Sequence, residues 1–301
     1  MHRLSWDGVG HSVANDPEDK LHRLCESLAS WGDRKAASKR DLLSLIGHLQ
    51  HAVKAVRQGR TFFRRLIDLA AMTRNLDSFV RLNLTARSDI TWWRTFVRHW
   101  NGTSMLFTYN LRHPQVHVLS DASGSWGCAA LTGKAWFQLK WPTDSDSGHI
   151  SAKEMLPVVL AAMVWGKAWQ GLSVCFHSDN SAVVTVLNSG SVRDGLLMHY
   201  MRCLHFVAAK YNFIFSSTHI RGLDNVLADA LSRNKSDIFF SLFPQADARP
   251  TPIPKAMQEF LLLVRPDWTS PHCGILFSSF LSPFYTTVLQ LSVVSLYCLL
   301  F

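Results

Sequence analysis

The chain of 301 residues contains no C-x-x-C pair: its six cysteines, Cys25, Cys128, Cys175, Cys203, Cys273 and Cys298, stand singly and far apart. That spacing indicates neither a zinc site nor a disulfide framework, and it suits a reducing compartment. Acid is also scarce. Asp plus Glu total 22 against 31 Lys plus Arg, a net charge of +9, which favours a polyanionic partner over an acidic one. The first residues, with Asp7, His11 and the acidic run 16–19, lack the apolar core of a signal peptide. A cytoplasmic or nuclear location is therefore expected rather than a secreted one. Charge is missing altogether from residues 274–301. Roughly 20 apolar residues can cross a bilayer, but Ser278, Ser279, Ser282 and Pro283 interrupt this run. Only 285–301 is continuous, with no basic anchor after it. A partly ordered apolar tail is expected, and a tail-anchored membrane protein is the alternative.

What is present is a mostly globular chain, 48% hydrophobic and long enough for two domains. Residues 20–100 read as helical, with Leu42, Leu45, Ile46, Leu49, Val53 and Val56 recurring at three- and four-residue steps. Lys54, Arg57, Arg60 and Arg64 continue that register on another face. They make either an ordinary solvated face or a basic stripe able to follow a phosphate backbone. Trp92, Trp93 and Trp100 share the apolar periodicity and are expected to be packing anchors.

From about residue 114 the period changes. "QVHVLSD" alternates as a strand closed by Asp121, and "WGCAALTG" and "AWFQLKW" are two more strands joined by hairpin chemistry at "TGK". The polar loop "TDSDSGH" precedes a helix beginning at Ser151. "SVCFHSD" is a fourth strand ending at Asp179, two helices follow, and "NFIFSSTHI" is a fifth strand before the short helix in "DNVLADALSR". The predicted order is β-β-β-α-β-α-α-β-α, an α/β mixed five-stranded sheet with helices on its faces. "FPQADARPTPIP" reads as an extended, Pro-rich linker. The expected divisions are a helical region 1–110, the mixed-sheet domain 114–235, a linker 236–273 and a tail 274–301.

Four acids fall at element ends: Asp121, Glu154, Asp179 and Asp229. Each has a local explanation. Glu154 stands three residues after Ser151, as in a capping box. Asp121 could open a turn, and Asp179 could cap the helix starting at Asn180. Asp229 could lie on a solvated face with Asn225 and Ser232. Taken together, they occur in an order that lets strand ends and a crossover helix bring them to one edge. Clustered carboxylates repel and raise one another's pKa values, and hard divalent cations with oxygen ligands relieve that. Two Mg²⁺ ions about 4 Å apart would then suit phosphodiester hydrolysis. His177, alternating on the fourth strand, reads as a satisfied histidine rather than a ligand.

The segments "LSDASGSWGCAAL", "SAKEMLPVVLA", "FHSDNSAVV" and "HIRGLDNVLADALSR" resemble the ribonuclease H domain of retroelements. The last is similar to the gypsy-like and DIRS-like (tyrosine-recombinase) versions. The resemblance implies a ribonuclease H-like fold over residues 114–235 and hydrolysis of the RNA strand of an RNA/DNA hybrid. It implies two Mg²⁺ ions, replaceable by Mn²⁺, held by Asp121, Glu154, Asp179 and Asp229, with no small-molecule substrate and no membrane partner. Asp121 would bridge the ions, Glu154 and Asp179 would serve the leaving-group side, and Asp229 the side of the attacking water. Asn180 and the basic residues Lys54, Arg57, Arg60 and Arg64 would contact nucleic acid. Relatives carry a histidine before the last acid that assists product release. His219, ten positions before Asp229, either fills that role or simply ends the fifth strand. Upstream, "DKLHRLCESLASW" and "SKRDLLSLIGHLQHAVKAVRQGRTFFRRLIDL" resemble a reverse-transcriptase thumb and connection. No Tyr-x-Asp-Asp segment occurs, so no polymerase activity is expected, and a reverse transcriptase would come from another copy of the element. "RPTPIPKAMQEFLLLVRPDWTS" resembles the stretch before a tyrosine recombinase. A fragment of a retrotransposon polyprotein is thus expected, with an idle nucleic-acid-binding remnant as the alternative.

Overall fold

The computed structural model describes residues 17–55, 57–99, 113–142, 149–255 and 257. Trp100, Val56, Cys273, Cys298, most of the "TDSDSGH" loop and the tail 274–301 lie outside the described residues, as do the side chains of Lys54 and Arg57. Among the described residues no helix is long and apolar enough to cross a membrane.

The N-terminal part packs α1 (Pro17–Ala29), α2 (Lys39–Ala55), α3 (Arg64–Ala71) and α4 (Leu84–His99) around one apolar cluster. Pro17 opens α1, where its missing N–H costs nothing. The three-four spacing of α2 puts Leu42, Leu45, Ile46 and Leu49 inside. Trp92 and Trp93 are buried anchors as expected, Trp92 lying flat between Phe62 and Phe96 with centroids at 3.9 and 4.8 Å. Two features depart from the all-helical expectation. A short antiparallel pair, β1 (Ala36–Ser38) with β2 (Phe79–Arg81), ties the start of α2 to the turn before α4. The basic stripe is also broken, because α2 stops at Ala55, residues Arg57–Phe62 form a 3-10 turn and Arg64 starts a new helix. A one-helix register therefore does not relate these cations.

The second part is built on β3 (Val116–Ala122), β4 (Gly127–Thr132), β5 (Ala135–Lys140), β6 (Ser173–Ser178) and β7 (Ile214–His219), in the order β5-β4-β3-β6-β7. β3, β4 and β5 form the antiparallel meander, and β6 and β7 run parallel to β3. Gly133, at φ +55°, makes the two-residue β4–β5 turn that a side chain would strain. α5 (Ile150–Trp165), α6 (Ser181–Ser189) and α7 (Gly195–Tyr211) join β5 to β6 and β6 to β7, and α8 (Val226–Ser232) follows β7. The predicted element order is observed, and the architecture is the expected α/β one, a mixed five-stranded sheet flanked by helices. α5 is apolar on nearly every side, with Met155, Val158, Val159, Leu160, Ala161 and Ala162 fully buried, so it occupies the centre of the core rather than its surface.

The region expected as an extended linker departs from that expectation. Residues Ser236–Leu242 form α9, whose Phe239 is fully buried with Trp136, Ala129 and Leu231 on the second face of the sheet. Beyond it, Asp247 N donates to Lys134 O, Thr251 N donates to Trp136 O, and the Trp136 indole donates to Asp247 O. Aromatics at short spacing gave this stretch an apolar anchor that its prolines masked. The strap covers the β5 edge, which would otherwise offer unpaired backbone groups.

The two parts share a junction. Ala209 and Ile214 belong to the N-terminal cluster, and Gln58 Nε2 donates to Phe213 O at 3.2 Å. Arg202 on α7 donates to Asp89 on α4 at 2.9 Å, with both side chains nearly solvent-free. Removing one member of such a pair strands the other. Asp89→Leu is expected to destabilise the chain by ~3–5 kcal/mol, and Asp89→Leu with Arg202→Met to recover most of the loss. Urea unfolding of the single and double variants measures both.

Candidate active site

Asp121 is the penultimate residue of the central strand β3. β6 runs parallel beside it with Leu119 opposite His177, so two residues further along each strand come Asp121 and Asp179. Direction and register together put both acids at one sheet edge. α5 packs on β3 and β4 and delivers Glu154. One ligand oxygen from each of Asp121, Glu154 and Asp179 lies within 4.8 Å of the others.

The local explanations for these acids do not hold in the structure. α5 begins at Ile150, and its N-cap is His149, whose Nδ1 accepts from Ser151 N at 3.3 Å. Ser151 is inside the helix, and no capping box forms with Glu154. Instead Glu154 accepts from the Ala122 backbone N–H, and its Oε2 has no partner. The cap of α6 is Asn180, not Asp179: Asn180 Oδ1 accepts from Ala182 N and Val183 N at 3.0 and 3.2 Å. An asparagine committed in this way has one function in the fold already. The Asp179 carboxylate is left to the edge.

Asp229 is placed differently. It sits on α8 near Asp121, close enough to raise the Asp121 pKa, but it is not one of the three convergent acids. Its Oδ1 receives Arg233 Nε at 2.6 Å, one helical turn on. The solvated-face account of α8 fails as well, because Asn225 and Ser232 are both fully buried. Asn225 Nδ2 donates to Ser120 O at 3.0 Å, and the Ser232 hydroxyl donates to Asp121 Oδ2. The polar side of this helix clamps the strand that bears Asp121. Sequence reasoning missed Ser232 and Arg233 as site residues, although three- and four-residue spacing from Asp229 was the available signal.

His219 ends β7, with Nε2 3.0 Å from the Asp179 carbonyl oxygen. It is exposed and one contact away from the cluster. After it the chain turns through Gly222, where a Cβ would come within 3.2 Å of Asp179 Oδ2. A side chain there would press on that carboxylate. Arg60 and Arg64 line a cleft of about 640 Å³ with Gln58, Asn188 and His205, between the N-terminal helices and the α6–β7 side of the sheet. Arg64 also pairs with Asp68 at 3.2 Å.

Asp121 and Glu154 are only 4% and 6% exposed, and no lysine or arginine is in direct contact with either among the described hydrogen bonds and ion pairs. Burial, first, and then the charges of Asp179 and Asp229 push Asp121 up to about 6 against the Ser232 hydrogen bond. Burial, then Asp121 and Asp179, push Glu154 up to about 9. Arg233 opposes both rises. Three oxygen-donor carboxylates, one with an orphaned buried oxygen, fit a hard divalent cation. They do not suit a soft one.

No protein-family model matches the chain, and no curated protein does. Among solved structures, ribonuclease H1 from the halophilic archaeon Halobacterium salinarum NRC-1 is 16% identical at a TM-score of 0.30, over 41% of this chain and 98% of that one. The foamy viral protease-reverse transcriptase in complex with an RNA/DNA hybrid is 11% identical at 0.25, over 65% of this chain and 26% of that one. Its dRH form in complex with double-stranded DNA is 10% identical at 0.25, over 65% and 34%. The chain spans about a quarter to a third of those viral proteins.

The raised acids fix the sign of a pH effect. Asp121 and Glu154 hold their protons more tightly folded than unfolded. Without divalent cations their contribution to stability is therefore whole below about pH 4. It is lost as pH rises through about 6 and then about 9. Chelator-treated protein is expected to melt lower near pH 8 than near pH 5, with Mg²⁺ raising the midpoint near pH 8 and hardly at all near pH 5. Glu154→Gln should flatten the profile in a thermal scan.

Proposed function

We propose that the chain hydrolyses the RNA strand of RNA/DNA hybrids at the edge lined by Asp121, Glu154 and Asp179. The observation that carries this is the convergence of three acids from β3, α5 and the end of β6, two of them buried and in no ion pair among the described residues. Such an arrangement is costly unless a ligand compensates it. The ribonuclease H-like fold and the resemblance of the four acid-bearing segments to retroelement ribonuclease H domains support the same reading.

Asp121, Glu154 and Asp179 would hold divalent metal, Mg²⁺ or Mn²⁺, with Asp229 completing the second position once released from Arg233. Bound metal would lower the pKa of water and stabilise charge on the leaving oxygen. The chain's own residues do the rest. Ser232 and Asn225 fix Asp121 by holding α8 against β3, and the Ala122 N–H orients Glu154. Gly222 leaves room beside Asp179. His219, bonded to the Asp179 carbonyl, would meet the product as it leaves. Asn180 stands next to Asp179, where its backbone and amide can face the sugar-phosphate chain. Selection of RNA would rest on the 2′-OH, which DNA lacks.

Arg60 and Arg64, with Lys54 and Arg57, would steer the duplex by phosphate contacts from a reverse-transcriptase-like thumb and connection region, residues 1–110. In this reading the chain belongs to a DIRS-like or gypsy-like retrotransposon polyprotein and works with reverse transcriptase from another copy.

A labelled hybrid incubated with the purified chain and Mg²⁺ is expected to be cut in its RNA strand, with double-stranded RNA and DNA left whole. Asp121→Asn should slow cutting by about 1000-fold, near 4 kcal/mol of barrier, while hybrid affinity stays within about twofold. An intact hybrid with the wild-type chain would remove the activity. Equal behaviour of wild type and Asp121→Asn in both assays would favour the idle remnant. Arg60→Gln and Arg64→Gln should each lower affinity and reduce the slope of log K against log salt by about 1.

A further inference from the structure

A second group of ligating side chains lies on the outer face of the same sheet, away from α5 and α7. His117 on β3 and Cys175 on β6 are register partners, His177 is two residues beyond Cys175, and Thr218 on β7 is the register partner of His177. Parallel pairing in register points all four to one side. His117 Nδ1 and His177 Nε2 are 2.9 Å apart, and one atom each from His117, Cys175 and His177 lies within 4.8 Å of the others. We infer that His117, Cys175 and His177 form a binding site for a borderline-soft transition-metal ion, zinc in particular, separate from the acid edge.

The donor set is the main support. Two imidazole nitrogens and one thiolate match tetrahedral zinc with a fourth position open, whereas Mg²⁺ prefers oxygen. Geometry agrees. Tetrahedral zinc bonds of about 2.1 Å to nitrogen set the two nitrogens about 3.4 Å apart, so the histidines need part by only about half an ångström from their present hydrogen bond. That hydrogen bond already requires one nitrogen to be an unprotonated acceptor. Cys175 is buried, but its Sγ is 3.3 Å from Thr218 Oγ1, a hydroxyl able to donate to a thiolate. His117 is exposed and provides the approach from solvent. On binding, the S–H bond of Cys175 breaks, its proton leaves to solvent, and the sulfur pair forms the bond to the metal. The ion would also tie together the two strands whose next residues on the same face lead to Asp121 and Asp179.

The test is titration of the reduced full chain with Co²⁺, a spectroscopic stand-in for zinc, in excess Mg²⁺ to saturate the acid edge. One equivalent should bind with tetrahedral ligand-field bands and a thiolate-to-cobalt charge-transfer band, and Zn²⁺ should displace it. Cys175→Ser should abolish the charge-transfer band, His117→Ala should weaken binding by at least about 100-fold, and Asp121→Asn should change neither. A wild-type chain with no charge-transfer band, or a band that survives Cys175→Ser, overturns the site. Should Cys175→Ser fail to fold by circular dichroism, His117→Ala decides alone, because its side chain is on the surface. Unchanged cobalt affinity in that variant overturns the site equally.

Discussion

Holding carboxylates together out of water is the constraint on which the second half of this chain is organised. Asp121 and Glu154 are pushed toward protonation first by burial and then by one another and Asp179. Close like charges are normally avoided by rotation into solvent. Here the backbone prevents that. Asp121 belongs to the central strand of five, Glu154 to the helix at the centre of the core, and Asp179 follows directly on a strand that pairs on both sides. The sheet is strong enough to impose the cluster, and the donor set of the cluster fits a hard divalent cation.

The surrounding polar groups make sense in that light. Asn225 and Ser232 are buried polar residues at the N-cap and the last position of a seven-residue helix too short to be stable by itself. Their bonds to Ser120 and Asp121 anchor α8, and its apolar side joins Trp136 and Phe239. α9 and the strap to Thr251 then complete that face and close the β5 edge. The opposite edge strand, β7, is covered near its start by the 3-10 turn through Gln58. Both edges of the sheet are thereby occupied by segments lying outside the central alternation of strands and helices.

Arg233 introduces a competition at the site. It shields Asp121 and Glu154 while holding Asp229 at 2.6 Å. An exposed ion pair of this kind is worth little, about 0–1 kcal/mol, so it yields readily to a stronger ligand for the same carboxylate. The fourth acid thus differs from the three convergent ones both in its pairing with Arg233 and in lying outside their 4.8 Å group.

The order of strands and helices was legible in the sequence because periodicity is local: alternation in "QVHVLSD" or three-four spacing in α2 needs only neighbours. The acid positions were legible for the same reason, since strand and helix ends can be located from short segments. Tertiary structure alone decided which local partners the acids would forgo. His149 took the cap expected of Ser151, Asn180 took the one open to Asp179, and burial turned the polar face of α8 inward. It also decided the helix in place of a linker at Ser236–Leu242 and the meeting of His117, Cys175 and His177. Those outcomes depend on register and packing between segments far apart in the chain, and no window of sequence contains both sides of such a contact.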